Sequence, residues 1–219
     1  IDAAEGTKKL MAKLKESFPE DLDYAVALDT TLAVTEGMKE IVKTLEEALV
    51  LVILVVFLFL QGWRATLIPL LAVPVSLVGT FALFPLFGFS INTLSLFGLV
   101  LAIGMVVDDA IVVVENVERN MTLHHLSPKD ATIRAMSEIS SSLVAVVLVM
   151  ASVFLPTAFL PGTTGQLYKQ FAITIVISVA VSGFVALTLT PAMCGVLLKH
   201  TVPPTRGFFA WFNRQVDAV

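Results

Sequence analysis

Two adjacent aspartates, Asp108 and Asp109, lie in a long run of otherwise uncharged, mostly apolar residues from Ile91 to Val114. A run of that length matches the roughly 20 residues a helix needs to cross a bilayer. In hydrocarbon the backbone must satisfy its own N–H and C=O groups, and an α-helix does so within one segment. An ionised side chain at the bilayer centre costs roughly 2.5–3.5 kcal/mol even on lenient insertion scales. Two in succession therefore require a partner or a function. Intramembrane carboxylates of this kind are the usual parts of proton-driven transport.

The rest of the chain agrees with a membrane setting. It is 57% hydrophobic and only 15% charged, with a mean hydropathy of +0.89. Soluble domains are about half apolar and a quarter charged. The net charge of −4 offers no nucleic-acid surface. The single cysteine, Cys194, excludes an intrachain disulfide and a cysteine-based metal cluster, and in its apolar segment it reads as a buried, inert thiol. The sequence opens at Ile1 in amphipathic, soluble-looking residues without a signal-peptide pattern. It reads as an internal piece of a longer polypeptide.

Residues 1–33 predict a helix and a strand. Leu10, Met11, Leu14 and Phe18 recur at helical spacing, and Pro19 ends that pattern. Leu22, Tyr24, Val26 and Leu28 then alternate with Asp23, Ala25 and Ala27, as in a half-buried strand. This is an α+β fragment too short to bury a core alone. Residues 34–200 predict five membrane helices at about 34–61, 65–87, 91–118, 139–160 and 171–198. Lys39, Lys43, Glu46 and Glu47 mark the wet end of the first, and the second contains Pro69, Pro74 and Pro85. Ser90 or Asn92 can cap the third. Ser127-Pro128-Lys129-Asp130 has the form of a capping box and predicts a short surface helix, and Pro161 to Gly165 a loop. From Gly207 to Val219, Phe208, Phe209, Trp211, Phe212 and Val216 are mixed with polar residues, as in an amphipathic helix lying in the bilayer interface.

Basic residues orient the bundle. Arg64, Arg119, Lys129, Arg134, Lys199, Arg206 and Arg214 fall on the side reached after the first, third and fifth helices, and Lys169 alone falls on the other. The first group marks the cytoplasm, which places residues 1–33 outside. No Lys, Arg or His lies between Ala65 and Val114, between Ile139 and Tyr168, or between Gln170 and Leu198. A basic partner for the aspartates must then come from elsewhere in the polypeptide, or the aspartates carry protons. Neighbouring acids in a dry site form one coupled titrating unit, able to hold a proton and release it when a cation approaches. Gly98 and Gly104 allow close approach of other helices near the pair. His124 and His125 lack an Asp, Glu or Cys at ligand spacing and read as a solvated pair, so no metal site is expected. Glu115 and Glu118 mark the cytoplasmic end of the third helix, and Ser140, Ser141 and Ser142 serve packing or capping.

Leu101-Ala-Ile-Gly104-Met-Val-Val-Asp108-Asp109-Ala-Ile-Val-Val-Val-Glu115-Asn-Val-Glu118-Arg119 resembles the fourth transmembrane helix of resistance-nodulation-division (RND) efflux pumps. Arg64-Ala-Thr-Leu-Ile-Pro69, Gly88-Phe-Ser-Ile-Asn-Thr93, Phe171-Ala-Ile-Thr-Ile175 and Phe208-Phe-Ala-Trp-Phe-Asn-Arg214 are similar to the same family in the same order. The resemblance covers essentially the whole chain. It implies a helical bundle equivalent to the second to sixth of twelve membrane helices, preceded by the end of a periplasmic porter subdomain. The double acid is similar to the hydrophobe and amphiphile branch, whereas heavy-metal pumps carry a single aspartate here. By resemblance, Asp108 and Asp109 are the proton relay, served by a lysine, an arginine and a threonine that lie outside this chain.

The implied activity is proton-driven efflux of hydrophobic and amphiphilic drugs. It needs no cofactor beyond the proton motive force and is secondary transport rather than enzymatic catalysis. The implied setting is the bacterial inner membrane, as a homotrimer joined to a periplasmic adaptor and an outer-membrane channel. Drug-contacting residues are not assigned, since that site lies mainly in the porter domain. Related exporters of heavy metals, lipids or proteins remain the alternative. An intramembrane aspartyl protease needs two aspartates facing each other from different helices, which neighbours on one helix cannot supply. A purely structural bundle leaves the acids unexplained.

Overall fold

The computed structural model describes residues 2–19 and 21–199. The described residues form α1 (Asp2–Lys15), α2 (Thr30–Leu60), α3 (Trp63–Leu83), α4 (Thr93–His124), α5 (Pro128–Phe154), α6 (Gly162–Leu187) and α7 (Leu189–Leu197). Short 3-10 turns at Phe84–Phe87 and Leu155–Phe159 extend α3 and α5. The chain is a helical bundle. Counting those extensions, α3, α4, α5 and the α6–α7 pair are long and apolar enough to cross a membrane. α2 does not reach that mark by itself, because Lys43, Glu46 and Glu47 leave an uncharged stretch only from Ala48 to its end at Leu60.

Local chemistry sets the helix ends. Asn92 caps α4 by accepting from Ser95 N at 2.9 Å, while Ser95 Oγ accepts from Asn92 N at 2.9 Å, a reciprocal pair that satisfies two orphan donors. Gly88, at φ 66°, closes the turn before it in the left-handed conformation that glycine adopts without a Cβ clash. At the other end of the bundle, Ser127 Oγ accepts from Asp130 N at 3.2 Å, with Pro128 in the first turn.

Four sequence expectations need correction. The helix launched by Ser127 is no separate surface element; it runs without interruption into the expected fourth span as α5. Pro161 to Gly165 is not a loop, because α6 begins at Gly162. The last span is broken at Thr188 (φ −122°, ψ −70°). Pro191 causes the break, since its ring clashes with the carbonyl four residues earlier, at Leu187. Finally, the strand expected at residues 22–28 is absent, and no regular structure forms there. A strand needs a hydrogen-bonded neighbour, and the described residues provide none. The interfacial helix expected from Gly207 lies outside the described residues.

α4 and α6 form the centre, with α3 and α5 packed against both and α2 against α3 and α4. A core of Ile68, Val113, Val114, Val117, Ala135 and Ala186 fills the half of the bundle around the end of α4, and Val56, Val73, Ile103, Val106 and Val107 fill the middle.

Candidate functional site

α4 has 32 residues, so Asp108 and Asp109 stand near its midpoint, about 23 Å from either end at 1.5 Å per residue. Helical periodicity separates them. Ala102, Val106, Asp109, Ala110, Val113 and Val117 are buried along one stripe. Leu101, Gly104, Asp108, Val112, Glu115 and Arg119 form an exposed stripe beside it. Consecutive residues differ by about 100° around the axis, and the boundary between the two stripes passes between the aspartates.

Asp109 is 7% exposed and points at α6. Its Oδ2 accepts a hydrogen bond from Ser182 Oγ at 2.7 Å. Ser182 Oγ also lies 3.3 Å from the carbonyl oxygen of Val106 on α4. Asp108 projects from the open face. Among the described residues no basic side chain pairs with either carboxylate. The pair thus combines one acid enclosed with a single hydroxyl partner and one acid at the edge of the bundle.

Other residues singled out in the sequence fall around this centre. Gly98 backs onto α6, where an added Cβ would come 3.2 Å from the carbonyl oxygen of Phe171 and 3.3 Å from Thr174 Cγ2. An added Cβ at Gly104 would meet nothing within 4 Å. Gly104 instead lines an apolar groove of about 660 Å³ between α2, α4 and α6, with Leu51, Phe97 and Tyr168. Glu115, Glu118 and Arg119 border a second groove of about 600 Å³ below Phe59 and Leu60. His124 ends α4, and His125 follows in the left-handed conformation at φ 51°. Cys194 is fully buried in α7. Ser140 donates to the Met136 carbonyl of its own helix.

Two polar clamps escaped sequence reading. Where α4 begins, Asn92 Nδ2 donates to Gln170 Oε1 at 2.8 Å, and Gln170 Nε2 donates to the Ser90 carbonyl at 2.7 Å. At the opposite end, buried Asn120 donates to Glu138 of α5 at 3.2 Å. Ser182 was missed too. Its signal is faint but physical: a hydroxyl directly beside Gly183 in an apolar span, the composition of a close helix contact.

Comparison with known proteins bears on all 219 residues. The family model described as the AcrB/AcrD/AcrF family matches residues 1–219. Multidrug export protein AcrF of Escherichia coli is 52% identical over 221 residues, covering 99% of this chain and 21% of that protein. Solvent-resistant pump membrane transporter SrpB of Pseudomonas putida is 49% identical, with the same two coverages. Multidrug resistance protein MdtF of Escherichia coli is 49% identical over 199 residues, covering 91% of this chain and 19% of that protein. The chain spans about a fifth of the length of the curated relatives it matches.

Proposed function

Because this chain belongs to the AcrB/AcrD/AcrF family, we propose that it supplies the proton-relay helix of a proton-driven efflux transporter for hydrophobic and amphiphilic compounds. The relatives are named as multidrug and solvent pumps, which supports that substrate class for the complete protein. The observation that carries the mechanism is the paired aspartates at mid-helix, with Asp109 enclosed against Ser182 and Asp108 on the open face.

The chemistry follows from that placement. A carboxylate in a water-poor site is costly while charged and unpaired. It lowers its energy by pairing with a cation or by taking a proton. A basic group contributed by the rest of the polypeptide, seated at the open face beside Asp108, alternates with the proton as the neutralising partner. Protonation releases that group and lets α4 shift. The drive is about 2.3 kcal/mol per charge per 100 mV of membrane potential. The same reading places the transporter in the bacterial inner membrane, as a homotrimer docked to a periplasmic adaptor and an outer-membrane channel. It needs no cofactor and acts as a transporter rather than an enzyme.

In the complete transporter, Asp108→Asn or Asp109→Asn is expected to abolish drug efflux while membrane insertion and assembly stay normal. Drug accumulation in cells, read beside the amount of assembled protein in their membranes, checks this. Export at the unmodified rate by either variant would refute the relay.

A further inference from the structure

A buried acid that alternates between charged and neutral forms must be satisfied in both. Ser182 is placed to do this. It is 2% exposed, and its Oγ sits between two acceptors, Asp109 Oδ2 at 2.7 Å and the Val106 carbonyl oxygen at 3.3 Å. A hydroxyl offers one hydrogen and two lone pairs and rotates to suit its neighbours. While Asp109 is ionised, Ser182 donates to Oδ2. Once Asp109 holds a proton, its own O–H donates to Ser182 Oγ, and the serine hydrogen turns to the Val106 carbonyl. The added proton stays on Asp109 and Ser182 keeps its own. Only one O–H rotation is needed, and no buried polar group loses its partner, a loss that is heavily penalised.

The surrounding packing holds the hydroxyl there. Three consecutive residues of α6 meet three different helices. A Cβ at Gly79 of α3 would come 2.8 Å from Val181 Cγ1, Ser182 bonds Asp109 of α4, and a Cβ at Gly183 would come 2.5 Å from Val147 Cγ2 of α5. Charged groups on these helices are distant in sequence. α3 has only Arg64 in its first turn, α6 only Lys169 near its start, and α5 has Lys129, Asp130, Arg134 and Glu138 toward its start. Asp108 adjoins on α4, with Glu115, Glu118 and Arg119 further along it, and α7 has no charged residue.

We propose that Ser182 is a positioning residue of the relay, a two-way hydroxyl that satisfies Asp109 in both protonation states and ties the change to α6. This rests on the reading of Asp109 as a proton carrier. The test uses the complete transporter in proteoliposomes, with two readouts: drug-coupled proton flux, and the infrared C=O stretch of the protonated carboxyl. Ser182→Ala should cut the flux roughly tenfold, the scale of one hydrogen bond to a charged group, and move the carboxyl band to higher frequency. Ser182→Thr, which keeps a hydroxyl, should return the band toward its original position. Ser178→Ala is the control, because Ser178 is equally buried on α6 but donates only to the Thr174 carbonyl of its own helix, at 2.8 Å. An unmoved band and flux in Ser182→Ala would overturn the proposal, as would equal changes in Ser178→Ala. Should Asp109→Asn itself leave band and flux intact, the proton reading fails; if Asp109→Asn removes both while Ser182→Ala alters neither, the role of Ser182 alone fails.

Discussion

Three membrane helices of nearly equal apolar character occupy opposite environments. The most apolar windows of the α4, α5 and α6–α7 spans have mean hydropathies of 2.3, 2.3 and 2.4, yet 56%, 6% and 56% of those windows is buried. Hydropathy therefore decides that a segment crosses the bilayer and says nothing about where it sits in the bundle. Small and weakly polar residues make the difference. α4 buries Ser95, Gly98, Ala102 and Ala110; α6 buries Gly165, Ala172, Ser178, Ser182, Gly183 and Ala186. Lipid tails are as apolar as leucine, so close approach of backbones and a few hydrogen bonds select the packed face. α5 buries such residues only in its first half, at Ala131, Thr132 and Ala135. Beyond Leu143, Val144, Val146, Leu148, Val149 and Val153 face outward, while Val147, Met150 and Phe154 are half-buried.

The sharpest way to break this contrast is to thicken the central helix where it touches the peripheral one. Gly183→Leu places carbon where a Cβ alone would stand 2.5 Å from Val147 Cγ2. Valine is stiff at χ1, so α5 must move or the helix must bend. Overpacking of this kind costs about 1–3 kcal/mol. The expected result is a clear fall in the thermal unfolding midpoint of the purified protein. Val147→Ala in the same chain should recover part of it, because residues in contact couple. An unchanged midpoint would mean that α6 is not anchored at Gly183.

The same contrast explains what could be read in advance. Helix positions were legible because each run is long, apolar and bounded by caps or turn residues such as Asn92, Ser127 and Gly88. The fusion of the Ser127 helix with the fourth span was not, because polar Lys129 to Glu138 resembles a surface helix when read alone. In three dimensions Ala131, Ala135 and Ile139 give that stretch an inner face. The strand at residues 22–28 was read from alternation, but alternation only prepares a face for a neighbour. The aspartates stood out because charge in an apolar run is conspicuous. Ser182 did not, since it stands in α6 beside Thr174 and Ser178 and gains its meaning only from the carboxylate that the fold brings to it. Which aspartate faces inward also depended on packing, as the two lie on either side of a stripe boundary.

A smaller effect is expected on the outer half of α5. Val149 is 60% exposed, so Val149→Ala leaves no cavity in the bundle. In the complete transporter the change should stay within about 0.5 kcal/mol. A loss as large as that of Gly183→Leu would show that another helix of the polypeptide covers this face, and the periphery would then be core. Thermal unfolding of both variants side by side makes the measurement.

The smallest effect lies farthest from the centre, where charge replaces packing. α1 is tied to the start of α2 by an ion pair between Lys8 and Asp29. Asp29 also caps α2, accepting from Thr31 N at 3.0 Å. Lys8 first, and then Thr31, hold the Asp29 carboxyl well below its ordinary value, at about 2. A lowered value in the folded chain means that the ionised form is favoured there. Its contribution is full above the unfolded value of about 3.9 and disappears as pH falls toward about 2. The protection of α1 and of the first turn of α2 against hydrogen exchange, relative to the intrinsic rate at each pH, should therefore fall between pH 4 and 2, while α4 and α6 stay protected. Asp29→Asn should remove that pH step, and added salt should shrink it, because exposed pairs are screened. A step of equal size in the Asn variant would assign the docking of α1 to packing after all, and the division between a packed centre and a charge-held edge would lose its outer half.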